Sequence, residues 1–245
     1  MNYQRSLGGD LVRDGSPAAS GLSAASFSAS ELSTAGVEEV ERLYGGLADD
    51  VRRLIDVTIR SAVDEDRVTQ ARALVRQAER LLAEQASPEP AGVHFNREGR
   101  SWDWGNAVVG VRNAIAPPVV VVRAPDGTVS SEVELGAAYE GPPGCVHGGV
   151  SALILDHLMG ETASAGHTRV TVTGTLTLRY VAPIPLGRIW MRAWIADESG
   201  RKVTVVAQIG AGEVGTAPAV EATGLFIVPR WATDDGVPAD IGSLD

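Results

Sequence analysis

The chain has 245 residues, 44% hydrophobic and 21% charged, which is the composition of a globular protein rather than a disordered one. Asp and Glu outnumber Lys and Arg by 31 to 21, and the resulting net charge of −10 argues against nucleic acid or an anionic membrane as partner. A single cysteine, Cys145, excludes an internal disulfide and a Cys-rich zinc site, and His94, His147, His157 and His167 lack metal-ligand spacing.

Residues 1–30 are rich in Ser, Gly and Ala without periodicity, and read as a disordered or loosely docked tail. No apolar run approaches the ~20 residues of a bilayer-spanning helix. Met1-Asn2-Tyr3-Gln4-Arg5 runs on without an apolar signal core, so the expected compartment is the cytoplasm.

Residues 31–90 read as a helical extension. Glu31-Leu32-Ser33-Thr34 offers a helix start, and Val37, Val40, Leu43 and Tyr44 follow at helical spacing. Gly45-Gly46 is expected to break or bend this helix, and Leu47, Val51, Leu54 and Ile55 continue the stripe. A cleaner stripe comes next: Val68, Ala71, Leu74, Val75, Ala78, Leu81 and Leu82. It should pack on the domain that follows or on a partner subunit. Ser87-Pro88-Glu89-Pro90 reads as a linker.

Residues 91–232 change character. Strands are expected over Pro117–Arg123, which contains Val119-Val120-Val121-Val122, and over Thr128–Leu135. A Gly/Pro loop, residues 141–149, leads into a helix over ~148–165 that is apolar on more than one face and therefore deeply buried. Four more strands are expected at ~170–181, 187–196, 201–211 and 220–229, before an acidic tail, residues 233–245. Runs of strands around a single helix indicate an α+β domain with an antiparallel sheet wrapped on that helix.

The chemistry concentrates in Gly144-Cys145-Val146-His147-Gly148-Gly149 and the helix behind it. The first turn of a helix carries unpaired N–H groups and a positive dipole end, and glycine lets a ligand approach them closely. Such an end can hold a developing oxyanion. Asp156 lies in the middle of an otherwise apolar helix, which is costly unless it is paired or opens onto a cavity. It is either a base or nucleophile or a buried structural carboxylate. Glu161 on the same helix is the runner-up base, and a Cys145–His147 thiol pair lacks an orienting third group.

Gly148 and Asp156 are eight residues apart, about 12 Å along a helix. One carbonyl cannot touch both. If the two groups serve one substrate, they come from two copies of the helix running antiparallel across a twofold axis. Farther on, Thr171, Thr173, Thr175 and Thr177 alternate with Val172, Gly174, Leu176 and Leu178, so one strand face should be lined with hydroxyls and the other should be mostly apolar.

His147-Gly148-Gly149, then Asp156, then the strand Thr173-Gly174-Thr175-Leu176-Thr177-Leu178-Arg179-Tyr180-Val181-Ala182-Pro183-Ile184-Pro185-Leu186-Gly187, together resemble the hotdog-fold acyl-CoA thioesterase superfamily, specifically its PaaI-like (phenylacetate-pathway type) branch. The resemblance covers roughly residues 105–230 and leaves the helical extension unaccounted for. It implies a hotdog fold, with an antiparallel sheet around one long helix. It also implies a backbone amide at Gly148 that polarises the thioester carbonyl, with His147 shaping that loop. Asp156 would act as nucleophile or general base, and Thr173 would hold the water or the carboxylate. Gly149, Gly174 and Thr175 would border the substrate. Other branches carry Glu where this chain has Asp156, so the resemblance does not choose between nucleophile and base. It further implies no cofactor, since coenzyme A is part of the substrate, no metal, and a homodimer or dimer of dimers with sites at the subunit interface. The alternative is a non-catalytic acyl-CoA or acyl-carrier binding module.

Overall fold

The computed structural model describes residues 32–89, 91–117 and 119–232. The expected tails, residues 1–30 and 233–245, lie outside the described residues. The first helix, α1 (Thr34–Arg60), starts where Ser33 accepts the Gly36 N–H. It runs unbroken through Gly45-Gly46, against expectation. Packing overrides the glycine penalty here. A Cβ on Gly45 would sit only 3.0 Å from Val111 Cγ1, so the bare backbone lets the 105–121 segment lie close. Val37, Val40 and Ala48 are buried on the same helix.

The second helix, α2 (Glu65–Ala83), is capped by Asp64 accepting the Arg67 N–H. It has no buried residue, and every residue from 57 to 89 is exposed. The apolar stripe on α2 is therefore not covered by the domain that follows. A short antiparallel hairpin, β1 (His94–Phe95) and β2 (Ser101–Trp102), comes next and was not expected from the sequence.

The expected strand over Pro117–Arg123 shrinks to β3 (Val122–Arg123). Two prolines without N–H groups open it, and Val119 turns into the core instead of joining a ladder. After β3 come β4 (Val129–Leu135), then α3 (Gly148–Ala163), and then β5 (Val172–Tyr180), β6 (Gly187–Ser199), β7 (Lys202–Ala211) and β8 (Val220–Ile227).

The strands form one six-stranded antiparallel sheet in the order β3-β4-β6-β7-β8-β5. Helix α3 lies across it. Ile154, Leu155, Leu158 and Met159 are fully buried against Ile189, Met191, Val205, Ile209 and Phe226. This is the α+β arrangement expected, one sheet around one apolar helix. β5 sits at the sheet edge, bonded to β8 on one side only, and most of its residues are exposed.

The β5 register carries a bulge. Thr173 pairs with Phe226, Thr175 pairs with Leu225, and Gly174 is the extra residue between them. Past the bulge Leu176 faces Gly224, and Leu178 faces Ala222. Residues paired across a ladder share a face, so Thr173 joins Leu176, Leu178 and Tyr180 on the helix side. Thr175 and Thr177 go to the opposite face. The expected single row of hydroxyls is thus split, with Thr173 alone of these three turned toward α3.

Candidate functional site

The loop before α3 is built to present the helix end. The Gly141 N–H donates to Cys145 O, and the His147 N–H donates to Tyr139 O. A Cβ on Gly141 would meet His147 Cα at 2.7 Å, so only glycine fits where the two strands of the loop cross. His147 is the N-cap of α3, and its Nδ1 accepts the Gly149 N–H at 2.9 Å. The Val150 and Ser151 N–H groups both donate to His147 O. That leaves the Gly148 N–H as the free donor of the first turn, without a partner among the described residues.

Tyr180 at the end of β5 closes over this turn. Its hydroxyl donates to Gly148 O at 2.8 Å. Its ring lies so near that a Cβ on Gly148 would be 3.2 Å from Cε1. The Gly148–Gly149 peptide is therefore held at its oxygen by Tyr180 and at its N–H by His147. Two consecutive glycines would otherwise be the loosest part of the helix.

A cavity of about 390 Å³ opens at this helix end. Gly148, Ser151 and Tyr180 supply its polar lining, and Val146, Ile184 and Val220 are among the apolar walls. A mostly apolar hollow with a few convergent polar groups is the usual form of a small-molecule site. Cys145 also lines it, but forms no hydrogen bond with His147, whose Nδ1 is committed to the Gly149 N–H.

Asp156 is half-buried two turns farther along α3 and does not line this cavity. Its Oδ1 accepts the Thr173 hydroxyl at 3.0 Å. The bulge at Gly174 is what aims Thr173 at it. The structure thus gathers the expected residues into two groups on one chain: Gly148, His147 and Gly149 at the helix start, and Asp156 with Thr173 at its middle. Thr175 reaches neither, being on the far face of β5, and Gly174 contributes the kink.

Glu161, the runner-up base, is committed elsewhere. Its carboxylate meets His167 Nε2 at 2.9 Å. Burial pushes Glu161 up, but the His167 hydrogen bond and charge outweigh it and leave the carboxyl below its ordinary value. His157, beside Asp156 in sequence, is pushed down by burial, and its Nε2 is buried with no partner among the described residues. Tyr180 and Ser151 were not singled out from sequence. The signals were present, since Tyr180 stands in the Tyr-x-x-Pro-x-Pro run and Ser151 is three residues past Gly148, on the same helix face.

One antiparallel sheet wrapped on a single buried helix, with a free amide at the helix start and a carboxylate at its middle, defines a hotdog-fold protein. The thioesterase superfamily is matched over residues 143–217, from the Gly/Pro loop through β7. The solved protein RHA08564, described as a thioesterase superfamily protein, is 31% identical with a TM-score of 0.66 and covers 75% of this chain and 94% of its own. That share exceeds what residues 91–245 can supply, so the likeness reaches into the helical extension. The chain belongs to the thioesterase superfamily. A phenylacetic acid degradation-related protein from Ralstonia eutropha JMP134 is 22% identical, with a TM-score of 0.41 over 45% of this chain and 84% of that one. The BH2602 protein from Bacillus halodurans, solved with CoA, is 23% identical, with a TM-score of 0.42 over 48% and 77%.

Proposed function

We propose that the protein hydrolyses acyl-CoA or acyl-pantetheine thioesters to the free acid and the thiol, as a member of the PaaI-like branch. Coenzyme A enters as part of the substrate, and no cofactor is invoked. Among the described residues no group of three or more His, Cys, Asp or Glu is placed to hold a metal, and no helix is long and apolar enough to cross a membrane.

The carrying observation is the pairing of a free Gly148 N–H on the cavity with an Asp156 carboxylate held by Thr173 too far along the same helix to share its ligand. The sites therefore lie between two copies of the chain. The carbonyl oxygen of the thioester takes the Gly148 N–H of one copy. Asp156 of the other removes a proton from water as the water oxygen bonds to the carbonyl carbon, or bonds to that carbon itself to give an anhydride that water then opens. In either course the C–S bond breaks and the thiolate leaves to collect a proton. The unpaired edge of β5 supports this reading, because a long exposed edge strand is a ready surface for a second copy.

The test is thiol release from a panel of acyl-CoAs by the purified chain and by Asp156→Asn. The variant should stay folded and lose about 10²–10⁴-fold in rate, the usual contribution of a positioned base. Wild-type rates in the variant would remove Asp156 from the mechanism. Tight acyl-CoA binding with no turnover by the wild type would instead establish the non-catalytic binding module.

A further inference from the structure

We infer that Ser151 is a second hydrogen-bond donor to the substrate carbonyl, acting beside the Gly148 N–H; this rests on the thioester reading above. Ser151 is only 1% exposed, yet it forms part of the cavity wall with Gly148 and Tyr180. Its hydroxyl has no hydrogen-bond partner among the described residues. The contrast within the same helix is direct: Thr162, also buried, returns its proton to Leu158 O at 2.8 Å. The fully enclosed polar atoms without partners among the described residues, Trp102 Nε1, Ser131 Oγ and His157 Nε2, belong to residues that do not line the cavity. A buried hydroxyl left unpaired is a net cost to the fold, so one that opens onto a hollow is a group waiting for a ligand atom.

Its placement selects that atom. Residues three apart on a helix are neighbours on one face, about 5–6 Å between Cβ positions. An oxygen lying between the Gly148 N–H and the Ser151 hydroxyl can accept both at ordinary distances. The third polar group of the wall is already committed, since the Tyr180 hydroxyl is given to Gly148 O. The donor pair therefore meets the thioester oxygen, and its grip strengthens as that oxygen gains negative charge. Ser151 does not act as a nucleophile, because the nearest base on the helix, His147 Nδ1, holds the Gly149 N–H.

Ser151→Ala and Ser151→Thr in the full chain test this, with kcat, KM and melting temperature measured together. Ser151→Ala should lower kcat/KM by roughly 10²-fold, mostly in kcat, the usual cost of one oxyanion donor. The melting temperature should hold or rise, because an unpaired buried hydroxyl has been removed. Ser151→Thr, which keeps the hydroxyl, should recover much of the rate. An unchanged kcat in Ser151→Ala, or a rate loss matched by a fall in melting temperature, overturns the inference. If the wild type turns over no thioester, the parent reading fails and this one is read by binding instead. Affinity for the hydrolysis-resistant analogue with CH₂ in place of the thioester sulfur should then weaken at least about threefold in Ser151→Ala. Unchanged affinity overturns it.

Discussion

Asp156 and Glu161 lie five residues apart on α3 and are held by different partners. Asp156 takes one hydrogen bond from a neutral hydroxyl on the neighbouring strand. Glu161 is closed by an imidazole that holds a proton more firmly than usual, chiefly through the hydrogen bond to Glu161 itself. The folded pKa of His167 lies above its unfolded value near 6.5, so this pair's stabilisation is complete below 6.5 and is lost as pH rises through the raised value. Glu161 is lowered from 4.5, so its share is present above that pH and is lost as pH falls through the depressed value. The pair should therefore stabilise the fold most between 4.5 and 6.5. His167→Asn removes it while keeping a residue suited to the left-handed backbone there, φ 63°. The melting-temperature gap between wild type and variant should peak near pH ~5.5 and shrink toward alkaline pH. A gap that is constant with pH, or widest above pH ~8, would dissolve the pairing. At this scale the sequence marked Asp156 by its isolation among apolar neighbours, and placed Thr173 only through the family resemblance. It did not show that Thr175 faces away, because a bulge adds one residue without disturbing the alternation a reader sees.

Helix α2 is an element that no described residue of the chain covers. A single helix of 19 residues is marginal in water, and most helices are held by packing of their apolar face. Here Leu74 and Leu81 are 66% and 63% exposed, and the chain's own domain leaves the stripe open. Of the two coverings expected from the sequence, the described part of the following domain is not one, and we propose the other, a partner subunit. The location supports it, since α1 leads to α2 from beside the loop that starts α3, with Asp56 Oδ1 3.3 Å from where a Cβ of Gly136 would sit. Leu74→Asp with Leu81→Asp should raise the dissociation constant of the dimer at least about tenfold, since each buried Leu is worth roughly 1.5–3 kcal/mol. Sedimentation over a dilution series reads this, and an unchanged constant takes α2 out of the interface. The elements with strong periodicity, α2, α3 and β4 to β8, were legible from pattern alone. Gly45-Gly46 misled because local propensity says nothing of Val111 packing across it. The valine run before Arg123 misled because β-branched residues also fill cores without joining a ladder. The two-residue strands β1 and β2 are too short to leave a period.

At the scale of the whole molecule, a site that draws on two chains responds to subunit mixing in a way no single variant can imitate. Gly148→Pro deletes the donor at the first helical position, where proline's missing N–H disturbs no helix bond. His147 before it is already extended at φ −62°, ψ 132°, the conformation that precedes proline comfortably. Gly148→Ala serves as the control, because it adds the same Cβ against the Tyr180 ring but keeps the N–H. Homodimers of Gly148→Pro have two Asp156 carboxylates and no free amide, and homodimers of Asp156→Asn have the reverse. Each preparation alone should be nearly inert. Mixed and allowed to exchange subunits, about half the dimers become hybrids, and each hybrid holds one site with an intact Gly148 from one chain and an intact Asp156 from the other. Thiol release should climb to about a quarter of the wild-type rate, and only on the timescale of subunit exchange. If both groups acted within one chain, every hybrid site would carry one defect and mixing would restore nothing. The same null result with proven exchange would place the working amide and carboxylate on a single polypeptide.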